Sequence, residues 1–187
     1  MRVIAGQFRS RVLHAPRGLD TRPTSDRLRE TLFNVLAPRI ENTVFLDLYA
    51  GSGAVGIEAL SRGAREAIFV EQAAAAMKFI RSNLSSLGIQ GGYALEQRSV
   101  ADGLRRLAEQ GRIADIIFLD PPWSHAGEYA ATLGLLGGEC HAVLAPSAVV
   151  IAEHEKRREL DEHYGVLDRI RVLKQGDAAL SFYAVTT

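Results

Sequence analysis

The apolar positions of the chain form short continuous runs that alternate with longer amphipathic stretches. From residue 44 onward, runs typical of buried strands occur at 44–49, 67–70, 93–97, 115–119 and 148–152. Segments with a helical spacing of apolar residues lie between them, at 55–61, 73–87, 102–109 and 127–136. Two last apolar runs, 166–173 and 178–185, flank a polar turn and predict a closing antiparallel hairpin. This pattern predicts an α/β fold with a mostly parallel sheet covered by helices on both faces.

The first 40 residues follow a different pattern. Residues 2–14 alternate loosely between apolar and polar side chains around Gly6, which predicts a short β-hairpin. Residues 15–23 contain two prolines and a glycine and predict a loop. Thr24 or Ser25 then caps a predicted helix that ends at Pro38. We therefore expect two parts, an N-terminal hairpin and helix at 1–40 and a larger α/β domain at 41–187.

Length and composition limit the class of protein. The chain has 187 residues, 47% hydrophobic and 24% charged, which suits an ordinary globular domain and excludes intrinsic disorder. Since no apolar run approaches the roughly 18 residues that a membrane span needs, we expect no membrane association. The single cysteine, Cys140, cannot form an internal disulfide, and the N-terminus lacks the apolar stretch of a signal peptide. These features predict a cytoplasmic protein.

Charge is distributed unevenly along the chain, although the net charge is zero. Residues 1–40 contain eight arginines and three acidic residues, for a net charge of +5, and the remainder carries −5. Because the planar guanidinium group binds phosphate through two parallel hydrogen bonds, this basic segment favours a polyanionic partner such as nucleic acid. The alternative explanation is a general arginine bias set by the base composition of the genome, since 19 of the 22 basic residues are arginine.

A glycine-rich turn follows the first predicted strand of the larger domain. Residues 47–56 read Asp-Leu-Tyr-Ala-Gly-Ser-Gly-Ala-Val-Gly, so Gly51, Gly53 and Gly56 form a G-x-G-x-x-G pattern between a strand and a helix. Glycines there allow a tight turn and let a ligand approach the backbone closely. Glu71 ends the next predicted strand, where a carboxylate accepts hydrogen bonds from both hydroxyls of a ribose. The turn therefore predicts a nucleoside-containing cofactor; glycines that only shape the turn are the alternative.

Asp47 selects among nucleoside cofactors. It precedes Gly51 by four residues, where the pyrophosphate of a dinucleotide would approach, and a carboxylate is poorly placed there. A cationic sulfonium cofactor with an amino-acid tail would be attracted instead, which favours S-adenosylmethionine. A phosphate-binding P-loop is excluded because Ile57 and Glu58 stand where it needs Lys and Ser or Thr. A hydrolase nucleophile elbow at Ser52 is excluded because alanines stand at both required glycine positions.

A second motif follows the fourth predicted strand, where residues 120–123 read Asp-Pro-Pro-Trp. Because ligands of open parallel sheets bind beyond the carboxyl ends of the strands, we expect this turn to lie beside the glycine turn. The prolines fix the backbone and carry no N–H, so the Asp120 carboxylate and a proline carbonyl can accept both hydrogens of an –NH2 group. Trp123 offers a flat face on which a base can stack. The turn resembles the Asp/Asn-Pro-Pro-aromatic motif of methyltransferases that modify exocyclic or planar nitrogens, which implies methyl transfer to a planar amine through positioning and electrostatics; a rigid structural turn is the alternative.

Two weaker signals complete the residue-level prediction. Ser99 and Val100 follow the third strand, where folds of this kind usually contact adenine, and a loop without contacts is the alternative. The pair His154-Glu155 resembles part of a zinc-binding helix, but Arg158 stands where the second histidine would be needed. We therefore expect surface histidines and no metal.

Two longer blocks resemble the RsmD-type methyltransferases, bacterial enzymes that methylate guanine N2 in 16S ribosomal RNA. The first block comprises residues 2–6, Arg9, Arg11 and 22–34, and the second comprises 47–64. The resemblance implies the seven-stranded Rossmann-like sheet of class I methyltransferases, mostly parallel with a C-terminal antiparallel hairpin. It also implies a target guanine in the P-site loop of a largely assembled small ribosomal subunit, with no obligate protein partner. The family more often has Tyr or Phe in place of Trp123, and Asp or Asn in place of Ser99.

The resemblance also implies a role for each motif residue. The residues expected to bind S-adenosylmethionine, and its product S-adenosylhomocysteine, are Asp47, Tyr49, Gly51, Gly53, Glu71, Ser99 and Val100. The catalytic turn comprises Asp120, Pro121, Pro122 and Trp123, with the Asp120 carboxylate and the Pro121 carbonyl holding the guanine amine. The residues expected to contact RNA phosphates are Arg9, Arg11, Arg22 and Arg27.

Two rival functions remain open at this stage. The first is the same chemistry on another amine, either adenine N6 or the side chain of a protein glutamine, because the Asp-Pro-Pro-aromatic motif serves all of these substrates. The second is a non-enzymatic RNA-binding assembly factor that has kept a cofactor pocket. The basic N-terminal segment argues against a protein substrate, and the intact motif residues argue against a relic pocket.

Overall fold

The computed structural model describes residues 1–15 and 25–186. Its centre is an eight-stranded sheet with the strand order β3-β2-β1-β4-β5-β8-β7-β6. The strands are Val44–Leu48 (β1), Glu66–Val70 (β2), Tyr93–Glu96 (β3), Ala114–Leu119 (β4), Leu144–Glu155 (β5), His163–Tyr164 (β6), Leu167–Gln175 (β7) and Ala178–Val185 (β8). Strands β1 to β5 pair in parallel, whereas β8, β7 and β6 follow in antiparallel order.

Helices cover both faces of the sheet. They are Asp26–Leu36 (α1), Ala54–Ser61 (α2), Ala74–Ser86 (α3), Val100–Glu109 (α4) and Gly127–Gly137 (α5). The apolar side chains of α4 and α5 form one core cluster with one set of sheet residues, such as Leu46 and Leu119. Those of α1, α2 and α3 pack against residues of the opposite set, such as Phe45 and Phe69. Burial on both sides explains why the central strands read as continuous apolar runs.

The α/β fold with a mostly parallel sheet and a closing antiparallel hairpin is confirmed. The sheet has eight strands rather than the predicted seven, because the two-residue strand β6 pairs with the start of β7. A pair this short has no periodicity from which it could be predicted. Strand β5 is also longer than predicted and continues to Glu155, three residues beyond the apolar run that indicated it.

The N-terminal segment folds back on itself as predicted, but it forms no ladder of strands. One isolated bridge joins Arg2 to Val12, and Val3 N–H donates to the Arg11 carbonyl at 2.9 Å. Gly6 and Ser10 both have positive φ, at 81° and 68°, and belong to a wide turn. This turn takes up residues that a longer ladder of paired strands would need. Among the described residues, no helix is long and apolar enough to cross a membrane.

Candidate cofactor and substrate site

A cavity of about 420 Å³ opens at the carboxyl ends of β1, β2 and β4. This volume lies in the range of small-molecule and cofactor sites, roughly 300–1,000 Å³. The predicted site residues that line it are Asp47, Tyr49, Gly51, Glu71, Ser99, Val100, Asp120 and Pro122. The structure therefore brings the glycine turn and the start of the Asp-Pro-Pro-Trp turn to one cavity, as the shared edge of parallel strands requires.

The glycines of the turn serve different purposes. Gly51 has a φ of 57°, and a side chain there would meet only the Tyr49 carbonyl, at 3.9 Å, so its free side faces open space. Gly53 has a φ of 79° and is the residue from which α2 starts. Gly56 is required by packing, because an added Cβ would lie 2.3 Å from the Phe69 ring. The turn thus combines a backbone open to a ligand with a helix packed closely on β2.

Asp47 lies beneath the glycine turn rather than on its surface. Its side chain is only 2% exposed, and its Oδ2 accepts a hydrogen bond from the Gly56 N–H at 2.9 Å. Burial raises the pKa of Asp47 to about 8, the Gly56 hydrogen bond offsets part of that rise, and the nearby Glu71 carboxylate adds to it. A cation bound in the cavity would favour the ionised form.

Glu71 connects the end of β2 to the glycine turn. Its Oε2 accepts a hydrogen bond from the Gly51 N–H at 2.9 Å, and its Oε1 accepts one from the Ala73 N–H at 2.8 Å. Each carboxylate oxygen can accept a further hydrogen bond. The same side chain can therefore hold the turn in place and accept from a hydroxyl in the cavity.

Ser99 and Val100 lie at the start of α4. Ser99 caps this helix: its Oγ accepts from the Asp102 N–H at 3.1 Å and donates to the Asp102 carboxylate at 2.7 Å. Val100 is buried and contributes an apolar wall to the cavity.

The Asp-Pro-Pro-Trp turn is divided between two surfaces. Asp120 and Pro122 line the cavity. The Pro121 carbonyl instead lies 3.4 Å from the buried Tyr129 hydroxyl, on the side where α5 packs. Trp123 borders a separate open groove of about 1160 Å³, and its carbonyl accepts from Arg158 Nη2 at 2.9 Å.

One acidic residue of the cavity was missed from the sequence. Glu128, in the first turn of α5, lines the cavity beside His125. The Tyr49 hydroxyl donates to Glu128 Oε2 at 2.7 Å and lies 2.7 Å from the Thr132 hydroxyl. The four-residue spacing of Glu128 and Thr132 places both on one face of the helix, which is the signal that could have indicated them.

None of the described arginines predicted to bind RNA belongs to the cavity lining. Arg9 and Arg11 are exposed, and Arg11 Nη2 donates to the Ser86 carbonyl at 2.7 Å, at the end of α3. Met1 and Ala15, from the same N-terminal segment, line the cavity. Arg27 is exposed at the start of α1, and Arg22 lies outside the described residues.

One N-terminal arginine has a structural role instead. Arg29 is fully buried; its Nη2 donates to the Arg2 carbonyl at 2.6 Å and to Asp26 at 2.9 Å. Glu58, also buried, accepts from the backbone N–H groups of Ile4 and Ala5. Part of the charge of the basic N-terminal segment is therefore used in contacts within the protein. Its net charge overstates the charge that a partner can reach.

The prediction of surface histidines is wrong for His154. It is 3% exposed, because β5 extends past the predicted end and carries it into the sheet. Its Nε2 lies 2.8 Å from the Ser181 hydroxyl, and burial lowers its pKa. Within residues 1–15 and 25–186, no group of three or more His, Cys, Asp or Glu side chains is placed to hold a metal ion.

The strand order, the glycine turn after β1, the acidic residue after β2 and the Asp-Pro-Pro turn after β4 together define a class I methyltransferase fold. Comparison with known proteins agrees. A model of the family described as Conserved hypothetical protein 95 matches residues 1–184, and the chain belongs to that family. Relatives named ribosomal RNA small subunit methyltransferase D confirm the resemblance to RsmD-type methyltransferases.

Named relatives and a solved structure support this assignment. The chain is 42% identical over 155 residues to ribosomal RNA small subunit methyltransferase D of Escherichia coli K12, covering 83% of this chain and 75% of that protein. It is 37% identical over 162 residues to the protein of the same name from Haemophilus influenzae, covering 86% and 81%. A solved structure of a hypothetical protein from Thermus thermophilus superposes with a TM-score of 0.82 at 29% identity, covering 97% of this chain and 98% of that one.

Proposed function

We propose that this protein transfers a methyl group from S-adenosylmethionine to the exocyclic N2 amine of a guanine in 16S rRNA, in the P-site loop of a small ribosomal subunit that is assembled or nearly so. The observation that carries the proposal is one cavity lined by Asp47, Glu71 and Asp120. It joins a nucleoside-binding turn to an acceptor for a planar amine. The name shared by the two bacterial relatives supports small-subunit rRNA as the substrate.

The cavity fits the proposed cofactor. Glu71, at the end of β2, accepts the ribose hydroxyls, and Gly51 leaves its face of the turn open. Val100 and the alanines at 54, 76 and 101 supply apolar walls, and Asp47 supplies negative charge on the side of the amino-acid tail. The cofactor, when bound, supplies an electrophilic methyl group on a sulfonium.

Asp120 acts on the substrate. The lone pair of an aromatic amine is delocalised into the ring, so the amine is a weak nucleophile. A carboxylate that accepts one N–H bond turns the lone pair towards the methyl group and stabilises the positive charge that develops on nitrogen. The nitrogen gains a carbon and loses a proton, and Asp120 is placed to accept that proton. Pro122 fixes the turn, and Trp123 stacks on the base or on its neighbour.

The N-terminal residues 1–40 act as the RNA-contacting part in this proposal, with Arg9, Arg11, Arg22 and Arg27 on phosphates. A short basic run also lies beside the catalytic turn: residues 156–158 read Lys-Arg-Arg, and Arg158 is hydrogen bonded to the Trp123 carbonyl.

The direct test is methyl transfer from radiolabelled S-adenosylmethionine to small subunits from a strain that lacks this gene. We expect Asp120→Ala to reduce turnover by about 10²-fold or more while cofactor affinity stays within about twofold of wild type. Asp120→Asn should retain partial activity, because the amide oxygen still accepts. Wild-type turnover by Asp120→Ala would contradict the assignment, and loss of folding in that variant would show that Asp120 is structural.

A further inference from the structure

Glu128 is the acidic side chain of the cavity that the proposed chemistry does not yet use. It projects from the first turn of α5 into the same cavity as Asp120. Two other carboxylates of the cavity are held by the backbone: Asp47 is buried against the Gly56 N–H, and Glu71 accepts from two backbone N–H groups. Glu128 is exposed and can therefore meet a ligand directly.

The structure holds the Glu128 carboxylate in a fixed direction. The hydroxyl of Tyr49 donates to its Oε2 at 2.7 Å and is itself paired with Thr132. Tyr49 has a φ of 60°, a backbone conformation that is unfavourable for a non-glycine residue and persists where surrounding contacts enforce it. The turn thus directs the Tyr49 phenol towards Glu128, whose side chain is exposed and lines the cavity.

We propose that Glu128 reads the N1–H of the target guanine and so selects guanine over other amine-bearing bases. The proposal rests on the proposed function, because it takes the N2 amine to be held at Asp120. Guanine carries a hydrogen on N1, directly beside N2, and an enzyme that binds an extruded base reads this edge by hydrogen bonds. A second carboxylate next to the amine site is the acceptor that this hydrogen requires.

The same geometry excludes the rival bases. Adenine presents a bare ring nitrogen beside its amine, which would face the Glu128 carboxylate with two acceptors opposed. A site built to hydrogen bond a substrate N–H rejects analogues that lack it. Glu128 therefore supplies the base selectivity that the Asp-Pro-Pro-Trp turn alone does not.

The test uses 2-aminopurine, which keeps the N2 amine but has no hydrogen on N1. The methylated guanine is first mapped by nucleoside analysis, and small subunits are then reconstituted with RNA that carries guanine or 2-aminopurine at that position. We expect wild-type kcat/KM to favour guanine by about 10- to 150-fold. Glu128→Gln should narrow this ratio to about threefold or less, because an amide can both accept from N1–H and donate to bare N1.

Two companion variants and one affinity measurement separate this role from others. Glu109→Gln makes the same charge change at the exposed end of α4 and should leave the ratio unchanged. Tyr49→Phe removes the hydroxyl that directs Glu128 and should raise KM for subunits by about 3- to 10-fold with little change in kcat. Cofactor affinity, measured by calorimetry, should stay within about twofold of wild type in Glu128→Gln.

The outcomes are distinct. If the mapped product is not N2-methylguanosine, the proposed function fails and this inference fails with it. If N2-methylguanosine forms but Glu128→Gln keeps the wild-type ratio, or wild type shows no preference, only the inference is overturned. A loss of cofactor affinity in Glu128→Gln that matches its loss of activity would make Glu128 a cofactor residue instead and would also overturn it.

Discussion

Burial of the Asp47 side chain raises its pKa. In water its pKa is 3.8, and in the folded protein it is about 8. Between these values the folded protein keeps a proton that the unfolded chain releases. Asp47 therefore lowers the stability of the protein as pH rises from about 4 to about 8, and the ionised form needs a compensating charge in the cavity.

A cationic cofactor would provide that charge, which gives a pH dependence. We expect the affinity for S-adenosylmethionine to rise from pH 6 to pH 8, with proton release on binding, because the bound cation favours ionised Asp47. Calorimetry in buffers of different ionisation enthalpy measures the released proton. Asp47→Asn has no proton to release and should bind more weakly, without this slope. If the affinity of the wild-type protein for S-adenosylmethionine also did not change with pH, the cationic part of the cofactor would lie away from Asp47.

Glu71 offers a second test at the residue scale. If it holds the ribose hydroxyls, Glu71→Ala should weaken cofactor binding about 10- to 150-fold, since hydrogen bonds to a charged group are worth roughly 1.5–3 kcal/mol. Part of the loss will come from the glycine turn, because Gly51 and Ala73 lose their acceptor. Glu109→Ala is the matched control on an exposed surface. Unchanged binding in Glu71→Ala by calorimetry would contradict the ribose assignment.

The sequence predicted which residues form the site better than it predicted the directions of their side chains and carbonyl groups. The carboxylates at the ends of β1, β2 and β4 were predictable because a parallel sheet brings strand ends together. The direction of the Pro121 carbonyl and the burial of Arg29 were not, since both depend on partners distant in sequence. From the sequence, Arg29 would be expected to be a surface cation. In the structure it is surrounded by Glu58 and the Arg2 carbonyl.

Among the secondary-structure elements, long apolar runs predicted the core strands and helices correctly. The predictions were wrong at the ends of these elements. Strand β5 extends into His154 and Glu155 because antiparallel pairing with β8 continues there. The apolar pattern had already stopped, so the sequence offered no sign of that extension. Likewise, β6 exists through pairing with β7 and not through its own composition.

The packing of α2 on β2 gives a stability prediction for an element. Gly56→Ala places a methyl group against the Phe69 ring, and overpacking of this kind costs about 1–3 kcal/mol. Gly134→Ala, in α5, meets nothing within 4 Å and should stabilise by about 0.5–1 kcal/mol, as helix propensity requires. Thermal unfolding of the two variants should shift in opposite directions. Equal or higher stability of Gly56→Ala would show that α2 can move away from β2.

At the scale of the whole molecule, charge and shape must bring a large polyanion to one small cavity. The exposed cations of the N-terminal segment lie on the side of the sheet covered by α1, α2 and α3. Arg105, by contrast, belongs to α4 on the other side, where it pairs with Glu139 at 3.0 Å. This separation provides a matched pair of charge reversals.

We expect Arg9→Glu to weaken binding to small-subunit RNA and to flatten the plot of log affinity against log salt by about 0.7 to 0.9 for each lost phosphate contact. Arg105→Glu, with the same charge change, should leave the slope unchanged, because an exposed ion pair contributes little. Arg9 is the cleaner probe than Arg11, whose guanidinium also holds the Ser86 carbonyl. Equal effects of the two reversals would mean that binding follows total charge and not the N-terminal segment.

The central claim concerns one chemical product, and nucleoside analysis tests it most directly. Small-subunit rRNA from cells with and without this gene is digested to nucleosides, and the modified guanosines are quantified by mass spectrometry. We expect one N2-methylguanosine per 16S rRNA to be lost with the gene and to return with the wild-type gene but not with Asp120→Ala. Identical N2-methylguanosine content in both strains, or loss of a different methylated nucleoside, would contradict it.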